Sequence, residues 1–378
     1  MAMTNFGALH SEALTTWSRD FWREARNRTF VMGFAGDSSE SMIQRVTELK
    51  STTGGARAVI TLINEATGDG VVGDNELEGN EEALSSSDMV IQLDQWRKAH
   101  KNKGRMADQK TIVQFRKEAK IQLAANCARV MDELAFLTMS GVGYNMHTDG
   151  KPRVGSQLPL LAYANDVTAP TGRRHYRWTS TGLALGNTAA VTPAALPTYA
   201  MLVELKARAV NSYIRPIRTD DGVDVYNVFM CPDGIAALKR DPDFIAAWRE
   251  AEKRGEANPL FKGTRHGGKK GIHIDGLNIL EYRNVYNTRG AAAGAKWGAA
   301  GTVDGQRVLL CGAQALAFAD IGRANWEEET FDYKNRKGIS IDKIFGFLKP
   351  RLFSTHDGSE QDFGIIAIDT ALPPVLAA

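Results

Sequence analysis

The sequence predicts an α+β fold organised around one dominant helix, and three observations support this. Apolar residues recur at intervals of three and four from Ile112 to Gly141, the spacing of an α-helix. Runs of β-branched and large apolar residues, typical of strands, flank this stripe on both sides. The 378 residues, 43% apolar and 24% charged, have the composition of a globular chain that can bury a substantial core.

The composition also excludes several classes of protein. The net charge of +2, from 46 basic and 44 acidic residues, argues against a surface built wholly for nucleic acid. Three scattered cysteines do not suggest a disulfide framework. No stretch approaches eighteen consecutive apolar residues, so we expect neither a membrane span nor a membrane partner, and the N-terminus lacks a signal-peptide core.

The first 51 residues are expected to form an arm. Apolar residues from Phe6 to Ala25 give a weak helical stripe, and Met42 to Leu49 give a second, shorter one. Both patterns predict amphipathic helices that dock onto another part of the protein.

The distribution of charge is the most informative feature of the chain. Residues 58–96 contain no lysine or arginine and many carboxylates, after which the sign reverses. The carboxylates singled out are Asp69, Asp74, Glu76, Glu78, Glu81 and Glu82. The cations that follow are Arg97, Lys98, Lys101, Lys103 and Arg105. Such blocks are either solvated or meet an opposite block; we expect these two sets to pair between copies of the chain.

The acidic block lies between two strand-like runs, Ala58–Ile63 and Met89–Leu93. The connection between them is about 25 residues long, rich in glycine and poor in apolar residues, which is uncommon in a compact domain. We therefore interpret residues 52–104 as a long hairpin-like arm. Because an isolated two-stranded ribbon is marginally stable in water, this arm needs a partner.

The dominant helix is predicted over Asp108–Ser140, with Asp108 at its start and Gly141 as its stop. At 1.5 Å per residue it would be roughly 50 Å long and would cross an elongated body. Residues 146–193 read as a loop-rich insertion. Helices are then predicted at 197–212 and, as one or two, at 232–254; strands are predicted at 223–230, 272–285, 307–310, 328–333, 339–347 and 363–369.

Several short motifs suggest an enzyme, but each fails on its surroundings. Gly68-x-Gly70-x-x-Gly73 matches a dinucleotide fingerprint, yet carboxylates follow it where a helix N-terminus is needed. Residues 263–270 resemble a phosphate-binding loop, but Lys270 replaces the magnesium-binding hydroxyl residue. Residues 74–79 imitate the start of a calcium loop whose twelfth position is Ser85. No metal-ligand spacing occurs, and we predict no catalytic residue, cofactor or metal.

Three segments carry a resemblance to a known family. They are Gly68–Glu82, Asn102–Lys110 and the end of the helix at Leu134–Gly141. In order and content they resemble the major capsid proteins of tailed phages, which have the Hong Kong 97-like capsid fold. The similarity is dense over residues 56–145 and looser over 232–286 and 326–353.

The resemblance implies a division of the chain. It assigns 1–51 to an N-terminal arm, 52–104 to the extended loop and 105–145 to the spine helix of the peripheral domain. It assigns 194–322 to the axial domain and 323–378 to return strands that complete the peripheral sheet. The insertion at 146–193 has no obvious counterpart in the minimal fold.

The resemblance also implies a function. It indicates a major capsid protein that self-assembles, as hexamers and pentamers, into an icosahedral shell around double-stranded DNA held without sequence preference. The implied partners are the portal and separate scaffolding and decoration proteins, with assembly in the bacterial host cytoplasm and residence in the virion. Some such shells are locked by a lysine of the extended loop; because residues 58–96 contain none, cohesion should be non-covalent. The alternatives are an encapsulin-like shell without a genome and a nucleotide-binding enzyme.

Overall fold

The structure, a computed structural model, describes residues 20–25, 27–46, 57–63, 69–81, 86–110, 115–218, 222–253, 271–354 and 357–374. After helical residues at 20–25, the α-helices in these ranges are α1 (Arg105–Lys110), α2 (Phe115–Ser140), α3 (Tyr199–Asn211), α4 (Pro232–Leu238) and α5 (Pro242–Lys253). The strands of the first half are β1 (Ala35–Gly36), β2 (Ile43–Val46), β3 (Arg57–Ile63), β4 (Ser86–Gln92), β5 (Asp94–Lys101), β6 (His175–Trp178) and β7 (Leu183–Leu185). Those of the second half are β8 (Ile217–Arg218), β9 (Asp224–Met230), β10 (Ile272–Ile274), β11 (Leu277–Glu281), β12 (Gly305–Cys311), β13 (Leu316–Asp320), β14 (Asn325–Phe331), β15 (Arg336–Leu348), β16 (Arg351–Ser354), β17 (Ser359–Asp362) and β18 (Ile365–Ala371).

A six-stranded sheet is organised around the long strand β15. Its order is β1-β2-β13-β15-β14, and β5 also pairs with β15. Both β14 and β5 pair with residues 338–342 of β15, so they lie on opposite sides of it. The sheet therefore has β5 as one edge at this end and β14 as the other.

An eight-stranded sheet forms the second layer of strands, in the order β10-β11-β9-β12-β18-β6-β7 with β8 on β9. The chain crosses between the two sheets at residues 312–315, between β12 and β13. A side chain at Gly312 or Gly364 would approach a backbone carbonyl to 2.3 or 2.4 Å, so the close approach of segments at this crossing requires glycine.

The spine helix α2 packs against both sheets and lies in the main core. All residues from Val130 to Ser140 are buried, including Asp132 and Glu133. The helix ends at Gly141, whose φ of +67° and contact with the Thr168 carbonyl both demand glycine. Its 26 residues span about 39 Å.

The predicted start of this helix at Asp108 is wrong, because Asp108 lies inside the short helix α1. The α1 helix begins at Arg105, where the backbone N–H of Arg105 donates to Oδ1 of Asn335 at 3.2 Å. The first backbone N–H group of α1 thus has its hydrogen-bond acceptor on a residue 230 positions away, which the local sequence cannot reveal. The residues joining α1 to α2 lie outside the described ranges.

Two further predictions are corrected. Residues 43–46 form a strand instead of a helix, since β2 pairs in parallel with both β1 and β13. The last predicted strand does not return to the six-stranded sheet: β18 pairs with β12 and β6 in the eight-stranded sheet, whereas β14 and β15 do complete the six-stranded one. The predicted arm helix at 6–25 lies outside the described residues except for 20–25.

Two segments belong to the body where the sequence suggested otherwise. Strand β5, counted within the projecting arm 52–104, pairs along its whole length with β15. The loop-rich insertion contributes β6 and β7 to the eight-stranded sheet. The helices and strands predicted at 197–212, 223–230, 232–254 and 272–285 are confirmed.

No helix in the described part of the chain combines the length and apolar character needed to cross a bilayer.

Candidate assembly surfaces

The two strand-like runs on either side of the acidic block form an antiparallel ribbon, in which β3 pairs with β4 from Arg57–Gln92 to Ile63–Ser86. Its inner face is fixed to the body. Ala58, Ile60 and Ile91 are buried in a small cluster of their own together with Leu348 and residues of β13. This cluster anchors the root of the ribbon to the body.

The outer face of the ribbon is not covered by the part of its own chain that the structure describes. Val59 and Val90 are direct cross-strand partners, and they are 48% and 45% exposed. Cross-strand pairs of β-branched side chains are a unit of sheet stabilisation when they are buried. Here the pair forms an apolar contact patch on a strand face that the described residues leave open.

The tip of the ribbon, residues 69–81, is held by short-range hydrogen bonds. The Asn75 side chain donates to the carbonyl of Val72 at 2.7 Å, and that of Asn80 donates to the carbonyl of Glu76 at 3.0 Å. The apolar side chains of Val72 and Leu77 are both exposed. The tip thus has local order but no apolar core.

The acidic side chains predicted as contacts lie at this tip and are exposed. Those within the described residues are Asp69, Asp74, Glu76, Glu78 and Glu81. None of these five side chains forms an ion pair with another described residue. Glu82, also predicted, lies outside the described residues.

The predicted basic set lies on the body. Arg97, Lys98 and Lys101 are exposed on β5, anchored by the buried Trp96, and Lys103 and Arg105 follow it and are also exposed. No second strand pairs with β5 within the described ranges, so it is a charged edge strand of the kind that resists unspecific pairing. Within one chain the structure forms no ion pair between this set and the described carboxylates of the tip. The pairing of the two sets between copies stays a prediction.

The motifs that resembled enzyme sites gain no support. No helix begins within residues 69–81, as a dinucleotide fingerprint would require, and Gly68 itself lies outside the described residues. The loop at 263–270 is also outside them, and the strand expected after it is present as β10. The described residues contain no cluster of side chains suited to a metal ion.

A buried carboxylate that sequence patterns did not indicate as functional binds the backbone at Phe30 and Val31. Asp132 of α2 accepts hydrogen bonds from the backbone N–H groups of Phe30 and Val31, at 3.0 and 2.9 Å, and from the hydroxyl of Tyr282 at 2.6 Å. The Phe30 ring stacks on Tyr282 with centroids 4.0 Å apart. In the sequence, the sign of this site is the Asp132-Glu133 pair in the otherwise apolar half of the helix. That pair does not indicate which residues Asp132 binds.

A second buried cluster joins the end of α2 to the eight-stranded sheet. Arg307 of β12 donates to the carbonyl of Ser140 at 2.7 Å and to Asp369 of β18 at 2.8 Å, and His175 contacts Asp369 at 2.6 Å. Burial alone would raise the pKa of Asp369. The charge of Arg307 and the hydrogen bonds from His175 and Arg307 outweigh this effect and hold that pKa below its ordinary value.

Acid is expected to destabilise the unassembled subunit below about pH 4. Burial would raise the pKa of Glu133, but its contacts with Arg153 and His147 lower it, so Glu133 and Asp369 both have lowered pKa values in the folded chain. Their stabilising effect is complete above their unfolded pKa values, 4.5 and 3.8, and is lost as the pH falls through the lower folded values. Urea unfolding between pH 3 and 6 measures this slope; an unchanged slope in Asp369→Asn would contradict the assignment to Asp369.

The comparison with known sequences decides the family. The sequence model of the family described as phage capsid protein matches residues 5–374. The chain belongs to this family. It is 53% identical, over 372 residues and 97% of each chain, to the major capsid protein of Pseudomonas phage KPP25. The family resemblance seen in the sequence is therefore confirmed.

Solved capsids share the fold. The capsid of Ralstonia phage GP4 matches with a TM-score of 0.74 and 25% identity over 92% of each chain. The capsid of Cyanophage Pam1 matches with a TM-score of 0.69 and 18% identity, covering 99% of this chain and 97% of that one. The predicted α+β, Hong Kong 97-like capsid fold is thus confirmed. Membership of a structural capsid family also favours a shell protein over a nucleotide-binding enzyme.

Proposed function

We propose that this chain is the shell subunit of a tailed phage and that copies of it assemble, without covalent links, into an icosahedral capsid around double-stranded DNA. The observation that carries this proposal is the ribbon. Its root is packed on the body, while its outer face exposes Val59 and Val90 and its tip exposes unpaired carboxylates. A neighbouring copy packs against the ribbon and covers these groups.

Charge sets the register of this contact. The tip carboxylates face the basic set of a neighbour, from Arg97 to Arg105. Exposed ion pairs contribute only about 0–1 kcal/mol each, so they select the partner more than they stabilise the shell. Stability comes from many contacts acting together, each burying roughly 800 Å² per partner, as the shell closes.

The wider assembly follows from the same role. Subunits form hexamers and pentamers in the host cytoplasm, and separate scaffolding, decoration and portal proteins complete the virion. The DNA is held without sequence preference, since its phosphates are the same at every base pair. The absence of lysine from residues 58–96 supports cohesion by contacts instead of by a loop-lysine cross-link.

The double variant Val59→Ser/Val90→Ser tests the proposal. The wild-type chain, expressed with its scaffold, is expected to form shells visible by electron microscopy. The variant should fold normally but yield at least tenfold fewer shells, because it presents hydroxyls where the neighbour offers an apolar surface. Particles from infected cells should contain nuclease-protected DNA; particles devoid of DNA would favour a shell without a genome.

The matched control is Val154→Ser, since Val154 is an almost fully exposed valine of the insertion. This control should form shells in normal yield. Equal shell yields from the control and the ribbon variant would contradict the assigned role of the ribbon face.

A further inference from the structure

The turn between β14 and β15 holds an aromatic side chain in a strained and open position. Three consecutive residues, Asp332, Tyr333 and Lys334, have φ values of 53°, 49° and 68°. This left-handed region is unfavourable for residues other than glycine, and a bulky aromatic residue there is an outlier. The Tyr333 side chain is fully exposed, so burial of its ring within the chain does not offset the strain.

The turn is nevertheless fixed. The backbone N–H of Asn335 donates to the carbonyl of Asp332 at 2.9 Å, and the Asn335 side chain donates to the Asp332 carboxylate at 3.2 Å. The Asn335 side chain also accepts from the backbone N–H of Arg105 at 3.2 Å. Strain that persists at a well-held, exposed position points to function. The backbone that carries Tyr333 is thus held in one conformation, which lowers the entropy cost of binding through this turn.

The same turn completes a basic surface. The backbone N–H of Asn102 donates to the carbonyl of Lys337 at 2.8 Å, which joins the turn to the end of β5. The exposed cations brought together are Lys101, Lys103, Arg105, Lys334, Arg336 and Lys337. Segments 101–105 and 329–337 contain two carboxylates, Glu329 and Asp332, and Asp332 pairs with Arg336 at 3.7 Å. The cations other than Arg336 form no ion pair with a described residue.

We propose that this turn surface, the six cations together with Tyr333, is the acceptor for the acidic ribbon tip of a second copy. This inference rests on the proposed function, in which the ribbon lies over a neighbour. The tip offers five described carboxylates, no cation and two exposed apolar side chains, Val72 and Leu77. The turn surface offers the opposite charge, and Tyr333 supplies the apolar group that Val72 and Leu77 can cover. Tyrosine is among the residues that most often dominate interface energies.

Charge exchange tests the pairing. Lys334→Glu/Lys337→Glu is expected to reduce the yield of closed shells at least tenfold, and so is Glu76→Lys/Glu78→Lys at the tip. Combining all four substitutions should restore shells to within about threefold of wild type, because opposite charges face each other again. The matched control is Lys239→Glu/Arg240→Glu, an exposed pair between α4 and α5. Combined with Glu76→Lys/Glu78→Lys, this control pair should not restore the shell yield. Absence of rescue in the fourfold variant would overturn the pairing.

Tyr333 is tested separately. Tyr333→Ala should lower shell yield at least tenfold, whereas Tyr333→Phe should retain it, because the ring and not the hydroxyl makes the contact. Neither change should lower the melting temperature of the unassembled subunit, since the side chain is exposed. Normal assembly of Tyr333→Ala would remove Tyr333 from the acceptor surface and overturn that part of the proposal.

The outcomes separate this inference from the function on which it rests. If Lys334→Glu/Lys337→Glu assembles normally while deletion of the tip abolishes shells, the acceptor lies elsewhere and the inference is overturned, but the ribbon keeps its role. If deletion of the tip also leaves shells intact, the proposed role of the tip in assembly is contradicted as well. If Lys334→Glu/Lys337→Glu forms normal shells that retain less DNA, the turn surface contacts phosphates and the inference is overturned.

Discussion

A subunit lacking residues 68–82 is expected to fold and to form no closed shells. The ribbon root is anchored by Ala58, Ile60 and Ile91, all outside the deleted segment. Within residues 69–81 the exposed tip buries no side chain, so its loss removes no core contact. The connection from β3 to β4 becomes about threefold shorter, which by loop-closure entropy favours the folded state by about 1 kcal/mol.

Assembly should respond in the opposite direction. The deletion removes all the carboxylates that select the partner surface and both exposed apolar side chains, Val72 and Leu77. Circular dichroism and a urea titration would report the fold, and sedimentation with electron microscopy would report shells. A second variant, in which a Gly-Ser segment of equal length replaces 68–82, separates chain length from chemistry. Full-sized shells from either variant would contradict the role of the tip.

The sequence predicts those parts of the fold that are encoded locally. The spine helix is recognisable because its apolar period extends over many turns, and its end because Gly141 must adopt a positive φ. The ribbon is recognisable because two strand-like runs enclose a segment with nothing to bury. Charge alone indicates a contact surface there.

The parts that escaped prediction depend on distant partners. Residues 43–46 became a strand because β1 and β13 pair with them, and the position of the basic set depends on the pairing of β5 with residues 338–345. Lys343 gives no sequence sign of burial, yet its ammonium contacts Asp320 and lies 3.7 Å from the centroid of the Trp22 ring. Its burial lowers its pKa against the opposing effect of Asp320. Periodicity reports which face is apolar, but not which strand will cover it.

The contact surfaces also have one part that the local sequence predicts and one part that depends on distant partners. The acidic tip and the basic run could be read from the order of charges, whereas the cations of the turn at 334–337 could not be assigned to the same surface. They lie beside Lys101 and Arg105 because Asn102 and Asn335 bridge the two segments. The exposure of Tyr333 likewise follows from the left-handed turn, which a sequence containing Asp332 and Asn335 permits but does not require.

Asp369→Asn is expected to destabilise the subunit by about 3–5 kcal/mol, the usual cost of leaving one member of a buried ion pair without its partner. Asp369 is fully buried, and Arg307 nearly so. The substitution keeps the shape of the side chain but removes the charge that faces Arg307 and His175. Arg307 would then be a buried cation faced only by neutral acceptors, among them the carbonyl of Ser140 at the end of the spine helix. Urea unfolding of the unassembled subunit at neutral pH, followed by circular dichroism, measures the change.

Two further variants serve as comparisons for this prediction. Asp20→Asn removes an exposed partner of Arg23, 3.3 Å away, and should change stability by about 0–1 kcal/mol. Arg307→Met/Asp369→Leu removes both buried charges together and should recover most of the loss, because an apolar pair of similar volume leaves no uncompensated charge. If the double variant is as unstable as Asp369→Asn, the contribution of Asp369 lies in hydrogen bonds to β6 and not in compensation of Arg307. If Asp369→Asn is no less stable than Asp20→Asn, then neither the ion pair nor those hydrogen bonds holds the end of the spine helix to the eight-stranded sheet.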